Sequence, residues 1–172
     1  NAPLHTPSSS APHRQSSVSD SVEAYLEKGV PAEKLVLGMP LYGYRYDGVS
    51  GNGDGLYSTF TSARSIPYDT LAATYLSDPS YRQLRHNEAQ VPYLYGKGSF
   101  LSYDDPQSIA EKAALAYDMN LQGIGFWELS QDSGAVLIES AVSQLSGKGF
   151  ADVPANAYYA DAVSWAVLNG VT

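Results

Sequence analysis

Apolar positions along the chain fall into short groups separated by Gly, Pro and Ser. The first sixteen residues are rich in Pro, Ser and His and predict a surface loop. Val18, Val22, Tyr25 and Leu26 then recur at helical spacing. Ser17 or Ser19 supplies the cap of that helix, and Gly29, with Pro31 just beyond, ends it. Residues 34–40 form a short continuous apolar run, the pattern of a strand buried on both faces in a parallel sheet. Residues 44–66 are polar and Gly-rich, which predicts a loop, and 68–76 a short helix.

Residues 91–95 and 99–104, joined by Gly96-Lys97-Gly98, predict a β-hairpin. Asp105 caps the next helix, with Pro106 at its first position and Ile109, Ala113, Ala116 and Tyr117 on its inner face. Residues 123–128 are a second buried strand. A last barrel helix near 134–145 carries the stripe Leu137, Ile138, Ala141, Val142 and Leu145. Helix, strand, an α+β segment, helix, strand and helix imply a parallel sheet wrapped by helices. Two parallel strands do not make a stable sheet, and an eightfold barrel needs about 250 residues. The pattern therefore predicts further βα units before Asn1, and an interior cut there. After residue 146 the composition changes, and a separate Ala- and aromatic-rich helix follows, with Tyr159, Val163, Ala166 and Val167 on one face and Gly170 at its end.

Composition narrows the chemistry. A net charge of −8 with no basic cluster argues against nucleic acid, since phosphate contacts need Lys and Arg on one face. There is no cysteine, so neither a disulfide scaffold nor Cys-ligated zinc is available. The three histidines are scattered without ligand spacing, and Asn52-Gly53-Asp54-Gly55 lacks the closing Glu of a calcium loop; no metal and no cofactor is expected. No apolar run is long enough to span a membrane. The 14 tyrosines either fill half-buried surface or offer flat amphipathic rings, which suit sugar faces.

Three segments in order resemble the last third of the family 18 glycoside hydrolases, the chitinase type. Asn1-Ala2-Pro3-Leu4 resembles the loop after the sixth barrel strand, and residues 34–43, ending Met39-Pro40-Leu41-Tyr42-Gly43, the seventh strand. Tyr103-Asp104-Asp105-Pro106 followed by Gly123-Ile124-Gly125-Phe126-Trp127-Glu128 and Asp132 resembles the lead-in and the eighth strand. Val91-Pro92-Tyr93 stands where many chitinases carry an α+β insertion that walls the cleft. The resemblance implies an α/β fold over residues 1–146, the C-terminal portion of a (β/α)8 TIM barrel, with a small α+β insertion at about 44–104 between strands 7 and 8. Residues 147–172 are then a linker and a truncated surface-layer homology (SLH) module, an all-α unit of which the first helix is present. Phe150-Ala151-Asp152-Val153 and Asn169-Gly170 resemble that module's start and first helix end; an ordinary amphipathic helix is the plain alternative.

The function implied is hydrolysis of β-1,4-linked N-acetylglucosamine polymers, chitin above all. In this family the substrate's own acetamido oxygen is the nucleophile and one Glu the acid. That Glu belongs to an Asp-x-x-Asp-x-Asp-x-Glu motif, which the 172 residues do not contain, nor do they contain the Met-x-Tyr-Asp segment that orients the acetamide. No catalytic residue is therefore assigned, and the chain by itself is expected to be inactive. Its substrate-binding candidates are Trp127, matching the family's tryptophan under the sugar, Tyr42, and Arg45. The family's usual Tyr-Gly-Arg reads Tyr42-Gly43-Tyr44-Arg45 here, so Arg45 serves only through a local shift, against strand alternation. Glu128, by the same alternation, points away from Trp127 and is read as structural. Asp104 and Asp105 are read as structural too. Two alternatives stay open, a peptidoglycan or spore-cortex N-acetylglucosaminidase and an inactive lectin-like chitin binder. The expected partners are an N-acetylglucosamine polysaccharide and, through the SLH module, a cell-wall polymer. The implied location is extracellular, on a bacterial wall.

Overall fold

The computed structural model describes residues 2–8, 16–50 and 53–146. Helix α1 (Val18–Glu27) starts at Ser17, whose hydroxyl accepts the Asp20 N–H at 3.1 Å; Ser19 is not the cap. Residues 3 and 4 extend the start of α1, accepting the Val18 and Ser19 N–H groups at 2.9 and 3.0 Å. A 3-10 turn (Ala32–Lys34) leads into β1 (Val36–Pro40). The second expected strand is β7 (Gly123–Trp127), and the two pair in parallel from Val36 opposite Gly123 to Pro40 opposite Trp127. Burial on both faces is a correction: Met39 alone of the two strands is buried, because each has just one strand neighbour among the described residues.

Between these strands the chain builds an antiparallel sheet of β2 (Tyr42–Asp47), β3 (Ser62–Pro67), β4 (Arg82–His86), β5 (Val91–Gly96) and β6 (Ser99–Ser102). The order is β3-β2-β6-β5-β4. The hairpin of β5 and β6 forms as expected, and its turn needs positive φ at both Lys97 (50°) and Gly98 (68°), the demand of a two-residue primed turn. The loop expected over 44–66 is a correction: its two ends are strands, and only the Gly-bearing stretch between them is irregular. The reason is edge position. β3 and β4 flank the sheet and are polar, β3 facing solvent over most of its length and β4 at its first two residues, so they lack the alternation that marks a half-buried strand. The helix expected over 68–76 is a short α2 (Tyr68–Leu71) that runs into a π-helical turn (Ala72–Leu76).

Helix α3 (Pro106–Asp118) begins at Asp105, whose side chain accepts the Ser108 N–H at 2.8 Å while Ser108 Oγ accepts the Asp105 N–H at 3.0 Å. Helix α4 (Val136–Ser146) begins over Asp132, a buried carboxylate that accepts N–H bonds from Val136, Leu137 and Ile138 at 2.8–3.1 Å. Asp132 thereby satisfies donors that a helix start leaves open. The core joins the two sheets: Met39 and Leu41 meet Leu71, Leu94 and Leu101, with Ile109, Ala113, Leu137 and Ala141 from α3 and α4.

Three further ties hold the inserted segment to the elements around the parallel pair. The Tyr68 N–H donates to Leu41 O at 3.0 Å, and the Ser133 N–H to Asp69 at 3.0 Å. Arg85 of β4 donates through Nη2 to both oxygens of Asp105, at 2.7 and 2.6 Å. Residues 147–172, where the wall-attachment helix is expected, lie outside the described residues.

Candidate carbohydrate site

The C-terminal end of the parallel pair positions the site. Trp127 closes β7 opposite Pro40, and its carbonyl accepts the Leu41 N–H at 2.8 Å. Trp127 is 72% exposed, the most exposed of the large hydrophobic residues described. The Trp127–Glu128 peptide is cis. Glu128 turns into the 3-10 turn that follows (Leu129–Gln131), where its carboxylate accepts from Ser130 Oγ at 2.8 Å.

Tyr42 begins β2 immediately after Leu41, so its backbone adjoins Trp127's strand end. Strand alternation then puts Tyr42, Tyr44 and Tyr46 on one face. Their rings run in series, Tyr42 to Tyr44 at 5.8 Å edge-on and Tyr44 to Tyr46 at 6.3 Å. Cross-strand register sets Phe100 opposite Tyr46 (6.2 Å between rings), and Tyr93 stacks on Phe100 at 5.2 Å. Phe60, from the irregular stretch, meets Tyr46 edge-on at 4.9 Å. Burial raises the Tyr46 hydroxyl above its ordinary pKa, with Tyr44 adding to it. The Tyr93 hydroxyl is raised too, by burial and by donating to Asp54 at 2.9 Å.

Arg45 occupies the other face of β2. Its Nε donates to Asp47 at 2.7 Å, Nη1 to the Tyr75 hydroxyl at 2.7 Å and Nη2 to Ser99 Oγ at 3.1 Å, with the guanidinium 5.5 Å from the Tyr75 ring centre. The structure thus gathers Trp127 and Tyr42 at one strand end and separates Arg45 from the Tyr face. Asp104 and Asp105 are both consumed by packing. Asp105 caps α3 and pairs with Arg85; Asp104 is buried against Lys112, which donates to its Oδ1. The aromatic row beyond Tyr42 was not singled out as site residues from the sequence, although the alternation Tyr42, Tyr44, Tyr46 was the signal that could have found it.

A parallel strand pair flanked by helices, with an exposed Trp at its C-terminal end and an aromatic wall beside it, is a chitinase-like α/β fold consistent with part of a TIM barrel. The sequence profile of the Glycosyl hydrolases family 18 matches residues 1–132, and the chain belongs to that family. Chitinase A1 of Niallia circulans is 39% identical over 131 residues, covering 70% of this chain and 19% of that protein. A family 18 N-acetylglucosaminidase from Paenibacillus barengoltzii superposes with a TM-score of 0.77 at 30% identity, over 83% of this chain and 42% of that one. Chitinase ChiW of Paenibacillus sp. str. FPU-7, described as part of a bacterial cell-surface-expressed multi-modular enzyme machinery, gives 0.76 at 31% identity, over 89% and 18%. The chain thus spans less than half the length of each of these relatives.

Proposed function

We propose that the chain forms the floor and one wall of the substrate cleft of a substrate-assisted, retaining glycosidase acting on β-1,4-linked N-acetylglucosamine polymers such as chitin. The observation that carries this reading is the 72% exposure of Trp127 at the C-terminal end of a parallel strand, the end at which barrel enzymes bind their substrates. The indole face accepts the C–H groups of a pyranose ring and leaves the ring hydroxyls free. Tyr42 lines the same end and supplies a hydroxyl at its edge. Arg45 acts on this reading as a positioning residue, holding β2 through Asp47, Tyr75 and Ser99 so that Tyr42 keeps its place.

Proton donation to the leaving oxygen belongs to the Glu of the motif absent from these 172 residues. The chain alone accordingly binds sugar and does not cleave it. Nucleophilic attack on the anomeric carbon comes from the substrate's acetamido oxygen, and the family needs no second carboxylate. Extracellular attachment to a bacterial wall, through residues 147–172 as an SLH helix, belongs to the same proposal. Its support is the similarity to a cell-surface-expressed chitinase.

A second reading, an N-acetylglucosaminidase of peptidoglycan or spore cortex, is favoured by the run Tyr42-Gly43-Tyr44 and by the similarity to a bacterial N-acetylglucosaminidase. Calorimetric titration of the 172-residue chain with N-acetylglucosamine oligomers and with cortex fragments separates the two. Trp127→Ala is expected to weaken oligomer binding at least about tenfold. Stability is expected to change by no more than about 0.5 kcal/mol, because the ring is exposed. Unchanged oligomer affinity in Trp127→Ala rejects the proposal.

A further inference from the structure

Trp127 leads into a turn with little packing of its own. Trp127, Glu128, Leu129 and Ser130 are all exposed, so side-chain packing does little to hold the indole's direction. Hydrogen bonds within the turn join near neighbours: Ser130 Oγ donates to Glu128 at 2.8 Å, the Gln131 N–H to Glu128 O at 3.0 Å and the Ala135 N–H to Asp132 O at 2.8 Å. Among the described residues, the one hydrogen bond that ties residues 128–133 to anything beyond the first turn of α4 runs from the Ser133 N–H to Asp69 Oδ2, at 3.0 Å.

That bond closes a circuit. The Leu41 N–H donates to Trp127 O at 2.8 Å, and the Tyr68 N–H to Leu41 O at 3.0 Å. Asp69 follows Tyr68, and from Ser133 the chain runs back to Trp127. Tyr42 adjoins the same ring through its peptide bond to Leu41. The other hydrogen bonds of the ring join backbone to backbone, so Asp69 supplies its single side chain.

A carboxylate in the first turn of a helix can serve that helix's own start. Here α2 takes no side-chain cap, and Asp69 accepts from Ser133 instead. The Ser133 N–H, and after it the Ser133 hydroxyl, hold the Asp69 carboxyl below the usual carboxylate range. Resting on the function proposed above, we infer that Asp69 is a positioning residue for sugar binding: as a hydrogen-bond acceptor on the inserted segment, it sets the direction in which Trp127 presents its indole face. The role needs an oxygen and no charge, so an amide also fills it.

Two measurements on the 172-residue chain test this, titration with the N-acetylglucosamine tetramer and fluorescence anisotropy of Trp127. Wild type, Asp69→Ala, Asp69→Asn and, for the titration, Trp127→Ala are compared, all carrying Trp165→Phe so that Trp127 is the one tryptophan left to observe. Asp69 lies outside the core, and a melting curve checks that each variant keeps the fold. Asp69→Ala is expected to lower the anisotropy and to weaken the tetramer about three- to tenfold, the cost of ordering one loosened side chain on binding. Asp69→Asn is expected to restore the anisotropy and to bring the affinity within about twofold of wild type. An Asp69→Ala chain with wild-type anisotropy and affinity overturns the inference, whatever its melting temperature, as does an Asp69→Asn chain no better than Asp69→Ala. Binding lost in Trp127→Ala but untouched in Asp69→Ala leaves the proposed function standing and removes only the positioning role. A wild type that binds no tetramer removes both.

Discussion

Lys112 and Asp104 form an ion pair from which water is excluded; their residues are 1% and 2% exposed. Replacing Lys112 with Met keeps most of the buried stem volume but leaves the buried Asp104 carboxylate with no cation. Breaking one side of such a pair costs about 3–5 kcal/mol. Ser108 Oγ still donates to Asp104 Oδ1 at 2.7 Å and retains roughly 1–1.5 kcal/mol of that. Asp104 Oδ2 has no hydrogen-bond partner to compensate further. The net expectation is about 3 kcal/mol, or a melting temperature lower by about 6–12 °C for a chain of this size. Urea unfolding followed by far-ultraviolet circular dichroism measures it. The double variant Asp104→Asn/Lys112→Met removes the charge as well as its partner. It is expected to be at least about 2 kcal/mol more stable than the sum of the two single losses predicts. A Lys112→Met loss below about 1 kcal/mol, or strictly additive single variants, would show that the pair is hydrated and refute the reasoning.

Two other expectations follow from local geometry. A Cβ at Gly43 would lie 2.6 Å from Ser102 O and 2.9 Å from Tyr103 Cβ, so Gly43→Ala must push β2 away from β6. A loss of about 1–3 kcal/mol is expected, and a thermal melt within about 0.5 kcal/mol of wild type would contradict it. Asp78 is held down to about 2, first by the Lys97 ammonium, which donates to it at 2.7 Å, and then by the Ser80 N–H. Because the folded value lies below the unfolded one, the contribution of this contact is complete above roughly pH 4 and lost as pH falls towards 2. Carboxyl NMR titration should find Asp78 near 2 in wild type and shifted up in Lys97→Met; an ordinary value in wild type would count against the contact.

The sequence was most legible where local chemistry acts alone. Ser17, Asp105 and Pro106 announce helix starts because capping needs only neighbouring residues, and β1 and β7 show because each is a short continuous apolar run, although only Met39 of the two strands is buried. The hairpin turn at Lys97-Gly98 is equally local. Legibility failed at β3 and β4, whose polar residues sit at sheet edges and so show no apolar alternation, even though β4 pairs with the next strand in sequence. Arg45 shows the same limit within the site. Its type suited a sugar contact, yet its face was decided by the register of β2 against β6 and by Tyr75, thirty residues away. Trp127 and Tyr42 could be nominated from the strand ends they occupy, whereas the depth of the aromatic row depends on Phe60 and Phe100, which only folding brings to Tyr46.

The three ties between the inserted segment and the elements around the parallel pair have a mechanical consequence. With Tyr68 held to Leu41, Asp69 to Ser133 and Arg85 to Asp105, the segment that carries the aromatic wall is tied to the residues that follow β1 and β7 and to the start of α3. Moving the aromatic wall away from Trp127 then means breaking these contacts together with the core that the two sheets share, so wall and strand end travel as one body.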